Sequence, residues 1–192
     1  MNRRLILTIV SACAIALTLS GTVLARSGSL PSGELRRLRA AVAPYHNFAA
    51  AEAAGYSIVG EPCVESPDGA MGFHAVNRSL TADLVSDALQ PEILLYAPRS
   101  NGTLELVGVE YFQIALANTA GGPRPWFEAT PPPLGFATTA PTVLGQTFNG
   151  PMPGHNPSMP WHYDLHAWVF EANPAGVFAP WNPAISCATA AG

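Results

Sequence analysis

Apolar positions along this chain change their rhythm several times. Leu5 to Leu19 is an apolar run without charge, preceded by Arg3 and Arg4 and followed by Val23-Leu24-Ala25. That order predicts a secretory signal peptide over 1–25, leaving 26–192 as a single globular domain. An uncleaved anchor is the competing reading, but the run is short for a membrane span. The next rhythm is helical. Ser32 can cap a helix starting near Gly33, with Leu35, Leu38 and Val42 on one stripe and Arg36, Arg37 and Arg39 off it. Pro44 should kink or end that helix, and an alanine-rich helical segment from Tyr45 to Ala54 stops at Gly55.

After Gly55 the pattern shortens to strands and turns. Gly72–Val76 reads as a strand and Asp83–Leu89 as a short helix. Ile93–Tyr96 and Thr103–Gln113 read as a hairpin, because Arg99-Ser100-Asn101-Gly102 supplies an Asn-Gly turn. From Pro123 to Pro183 prolines are too dense for mostly regular structure. Two runs survive as strands, Pro141–Phe148 and His162–Phe170. The intervening aromatics, such as Trp126, Phe136, Trp161 and Trp181, predict ordered loops laid over a sheet. The expected class is α+β: an N-terminal helical segment packed on an antiparallel sheet or small barrel, with long Pro-rich ordered loops.

Composition narrows the partners. The chain of 192 residues has a net charge of −4, its basic residues are all arginine, and only 11% of residues are charged. Nothing here could neutralise a row of phosphates, so nucleic acid is excluded as a partner. No membrane partner is expected once the signal is removed. Gly-rich phosphate loops and Gly-x-Ser-x-Gly elbows are absent. Cys13 leaves with the signal. Cys63 and Cys187 then form an even pair that should bond in an oxidising compartment, stabilising the fold by about 4–5 kcal/mol in the chain-entropy model. Two thiolate ligands for zinc are the alternative, without a Cys-x-x-Cys spacing to support it.

The candidate chemistry lies in the histidines. In His162-Tyr163-Asp164-Leu165-His166 side chains alternate, so His162, Asp164 and His166 share one face and Tyr163, Leu165 and Ala167 the other. Neighbours on a face are about 7 Å apart, so Asp164–His166 or His162–Asp164 is the pair that could chelate. Further ligands must come from other strands. His74 stands in a strand-like run beside Gly72, which leaves room for a close neighbour. Glu110 is a carboxylate inside Leu106–Phe112, a stretch that should be dry, and it needs a partner: a metal, a histidine or an arginine such as Arg78. Two histidines with a carboxylate form a common zinc or non-haem iron set. Single strand histidines are often structural, and His46 and His155 read as exposed residues.

Glu52-Ala53-Ala54-Gly55-Tyr56, Gly69-Ala70-Met71-Gly72-Phe73-His74-Ala75-Val76-Asn77, Pro91–Tyr96, Val109-Glu110-Tyr111 and Leu165-His166-Ala167-Trp168 extend into Asn173–Phe178 and Trp181-Asn182-Pro183. Together these segments resemble a family of small exported bacterial hypothetical proteins. The resemblance implies export and directs interest to His74, Glu110 and His166, but assigns no activity to any residue.

Two functions fit. One is an exported protein with a His/carboxylate site for a divalent metal (zinc, iron or copper), either a metal-binding protein or a small metalloenzyme, built from His74, Glu110, Asp164, His162 and His166. The other is a non-enzymatic periplasmic binding module for an apolar or aromatic small molecule, with the histidines as hydrogen-bonding groups.

Overall fold

A computed structural model describes residues 32–58, 60 and 62–188; the expected signal peptide lies outside the described residues. The chain opens with α1 (Ser32–Val42), a 3-10 turn (Ala43–His46) and α2 (Phe48–Ala53). Pro44 sits at the start of the 3-10 turn, where its missing N–H costs nothing. Asn47 caps α2 by accepting a hydrogen bond from the Ala49 N–H at 3.1 Å. Gly55 then reverses the chain with φ +94°, as a helix C-terminal glycine should.

The strands follow: β1 (Tyr56–Ile58), β2 (Val64–Ser66), β3 (Gly69–Asn77), then α3 (Arg78–Asp83), β4 (Ile93–Pro98), β5 (Leu104–Ile114), β6 (Leu116–Ala117), β7 (Arg124–Pro125), β8 (Thr142–Val143), β9 (Gln146–Thr147), β10 (Asn149–Met152) and β11 (His162–Ala167). The main sheet runs β1-β3-β4-β5-β11-β10, with β2 also paired to β3. Every pairing is antiparallel. This is the expected α+β class in its open form. No barrel closes, because β1 and β10 are edge strands with one neighbour each.

The helix expected over Asp83–Leu89 is displaced. Asn77 accepts hydrogen bonds from the N–H groups of Ser79 and Leu80, so the helix starts at Arg78. It ends as Leu84 enters the left-handed region at φ 59°. The Asn77 side-chain cap outcompetes the later apolar spacing. The Arg99–Gly102 turn forms as expected, with Gly102 N–H bonded to Arg99 O at 2.9 Å. Pro141–Phe148 becomes the small β8–β9 ribbon rather than a strand of the main sheet.

The two faces of the sheet are covered differently. Leu38, Val42 and Ala51 of the helices pack on Ala75, Leu94, Tyr96, Val109, Leu165 and Ala167. Arg39 ties α1 down by donating to Val169 O at 2.9 Å, its guanidinium lying 4.9 Å from the Phe170 ring. The opposite face carries a smaller cluster of Ile93, Leu95, Val107, Phe112, Trp168 and Ile185. There the C-terminal segment lies against the sheet. Asn182 exchanges two backbone bonds with Ala70, and Cys187 is disulfide-bonded to Cys63.

Tryptophans peg the Pro-rich loops in place. The indole N–H groups of Trp126, Trp161 and Trp168 donate to Thr130 O, Glu128 O and Ala179 O at 2.7–2.8 Å. A register shift between β4 and β5 leaves Val107 without a β4 partner. Next to it, a Cβ on Gly108 would stand 2.9 Å from Ala167 O, so glycine is what lets β5 approach the end of β11. Among the described residues, no helix is long and apolar enough to cross a membrane.

Candidate metal centre

Register brings the charged residues together. On β11, alternation sends His162, Asp164 and His166 to the face away from the helices, as expected. His166 is the direct cross-strand partner of Glu110 on β5. Such pairs place their Cβ atoms about 5 Å apart. His74 comes from β3, two strands away from β5. It pairs with Leu95 on β4, and Leu95 in turn with Gly108. The two long side chains, His74 and Glu110, therefore meet above β4.

The result is compact. Glu110 Oε2 lies 3.1 Å from His74 Nε2 and 3.7 Å from His166 Nε2. One donor atom from each of the three residues lies within 4.8 Å of the others, and all three residues are buried. Neither ring nitrogen of His166 has a hydrogen-bond partner among the described residues. Its ring stacks beside Trp168, centroids 6.1 Å apart.

Burial and charge set the protonation states. Burial pushes the Glu110 carboxyl up, but the imidazoles of His166 and His74 overcome this and hold it near 2, so it is ionised at neutral pH. Burial pushes the His166 imidazole down to about 4 against the pull of Glu110, so the ring is neutral. A neutral imidazole and an ionised carboxylate are the forms that ligate metal.

Asp164 and His162 flank this group without joining it. Asp164 receives a hydrogen bond from Asn149 Nδ2 at 3.4 Å. Burial first, and the charge of Glu110 second, push its carboxyl up to about 7. His162 turns Nδ1 toward Pro160 O at 3.1 Å and stacks on Phe112 at 4.9 Å. Of the β11 residues only His166 enters the three-residue group; it joins ligands across the sheet, where neighbouring strands are closer than residues two apart on one strand. Arg78 makes no ion pair with Glu110 among the described residues. Gly72 makes room for the backbone at Tyr96 O rather than for a ligand.

The chain matches no family model, no curated protein and no solved structure.

A cleft of about 830 Å³ opens over the group, with His74 and Glu110 in its lining. Its walls include Val64, Val76, Ile93, Phe112, Ile114 and Met159. His155, expected to be a solvated loop residue, is exposed at this cleft with its ring 5.6 Å from that of His162. His46 is exposed as expected and lies edge-on to Phe170.

One further buried acid lies outside the candidate residues that the sequence marks. Glu92 is 1% exposed; one of its oxygens accepts from the Phe112 N–H at 3.1 Å, while Oε1 has no hydrogen-bond partner among the described residues. Burial raises its carboxyl to about 7. The available signal was its position, between Pro91 and the apolar run Ile93–Tyr96.

Proposed function

We infer that the protein is an exported metal-binding protein that holds one divalent ion between His74, Glu110 and His166. The observation that carries this reading is the spacing of the three donor atoms. Two ligands bonded at about 2.1 Å to a tetrahedral ion stand about 3.4 Å apart. The separations of 3.1 and 3.7 Å around Glu110 Oε2 bracket that value. Three protein ligands leave a fourth position open, and the cleft lies over the group. Zinc, iron and copper all accept this donor set. Asp164 and His162 serve as flanking groups that shape the local field.

The Cys63–Cys187 disulfide supports an oxidising compartment, and with it export. The net charge of −4 supports metal ions or small molecules over nucleic acid as partners.

Elemental analysis of the purified protein, alongside its His166→Ala variant, tests the reading. We expect ~1 ion per chain in the wild type and under ~0.1 in the variant, with the metal-free stabilities of the two within about 1 kcal/mol. A wild type without metal after purification and after incubation with zinc, ferrous iron and copper, together with an unfolded His166→Ala, would show the histidine to be structural.

A further inference from the structure

We propose that the cleft over the His74–Glu110–His166 group binds a small amphipathic carboxylate. Its anionic end pairs with Arg78, and its apolar body lies against Val76, Ile93 and Phe112. Only the placement of the ligand's far end, beside the ion, rests on the metal-site reading above.

Size, charge and layout carry this assignment. The volume of about 830 Å³ suits a small organic molecule rather than a bare ion. Most of the lining is apolar, with Val64, Val76, Ile93, Phe112, Ile114 and Met159 around it. An inorganic anion would leave those walls wet.

Arg78 is the one arginine among the residues that line the cleft. It is exposed and makes no ion pair among the described residues. The cleft's acidic lining residues, Glu65 and Glu110, are engaged elsewhere. Glu65 accepts from the Cys187 N–H at 3.3 Å, and Glu110 faces the two imidazoles. An anion entering the cleft is therefore drawn to Arg78, and a guanidinium can take a carboxylate through two parallel N–H bonds.

The spacing sets the length of the ligand. His74 and Val76 occupy one face of β3, and Arg78 follows as the strand turns into α3. At about 7 Å per two residues, the track from His74 to Arg78 is about 13 Å long. With the reach of the arginine side chain subtracted, an aromatic ring or short alkyl chain bearing a terminal carboxylate fills it.

Calorimetric titration with phenylbutyrate, phenylbutanol and acetate tests the proposal on the wild type and on Arg78→Gln. The expected pattern is saturable binding of phenylbutyrate, about tenfold weaker in Arg78→Gln, with weaker phenylbutanol binding that is the same in both proteins and no binding of acetate. Absence of phenylbutyrate binding, equal binding of phenylbutyrate by both proteins, or phenylbutanol binding as tightly as phenylbutyrate overturns the proposal. The same samples are assayed for metal. Arg78-dependent binding in a protein that carries no ion upholds the cleft assignment while refuting the metal reading.

Discussion

The two faces of the central sheet handle buried polar groups in opposite ways. On the helix-covered side, each buried tyrosine delivers its hydroxyl to one backbone carbonyl: Tyr56 to Pro91, Tyr96 to Tyr45, Tyr111 to Ala88 and Tyr163 to Thr138, all at 2.6–2.7 Å. Each of these hydroxyls has its own acceptor, and the surrounding contacts are aliphatic and aromatic apart from one buried acid, Glu92. On the other side, His74, Glu110, Asp164, His162 and His166 crowd into one region, and both ring nitrogens of His166 go without hydrogen bonds among the described residues. A face built only for stability would not gather titratable groups in this way, because burying each one costs free energy. The contrast sets a face devoted mostly to packing against one that gathers the candidate ligands.

Core truncation gives the largest expected effect. Leu94 is fully buried on the helix side. Leu94→Ala should lower stability by about 2–5 kcal/mol in chemical denaturation while leaving the metal content of the folded protein unchanged. A loss of bound ion in the folded variant would mean that the two faces are not independent.

Glu92 gives the next largest effect. Its folded-state carboxyl titrates near 7, against an ordinary value of 4.5. The folded protein therefore keeps a proton that the unfolded chain releases, and stability falls as pH rises from about 4.5 through 7. Glu92→Gln should remove this loss, stabilising the protein at pH 8 by up to about 3 kcal/mol and changing little at pH 4. Paired urea titrations at the two pH values measure it. Equal effects at both would show that Glu92 titrates alike in the folded and unfolded chain.

The smallest effect comes from a single hydroxyl. Tyr163→Phe removes the donor to Thr138 O and should cost about 1 kcal/mol, with no change in metal content. A cost near zero would show that the tyrosine pegs contribute packing rather than hydrogen bonding.

How far the site could be read in advance depended on the kind of signal. Alternation along His162–Ala167 revealed which residues share a face, because a strand's period is local. Glu110 stood out because a carboxylate in an apolar run needs compensation. The convergence of His74, Glu110 and His166 follows from these separate local signals and is what the structure shows, but the register that achieves it, with β4 lying between β3 and β5, was not legible. Pairing partners distant in sequence leave no periodic trace. The start of α3 at Arg78 was hidden for a related reason: one side-chain cap at Asn77 decided it. Glu92 carries no comparable signal, because an acid at the mouth of a strand ordinarily faces water.

The Cys63–Cys187 bond joins residues 124 apart, and all three metal-site residues lie between them. A chain delivered amino end first presents Cys63, His74 and Glu110 before His166 and Cys187. The clasp and the third candidate ligand thus arrive almost together. A chain stopped before His166 has Cys63 without Cys187 and only two of the three candidate ligands. One stretch of chain, from His166 to Cys187, therefore both fastens the fold and completes the candidate ligand set.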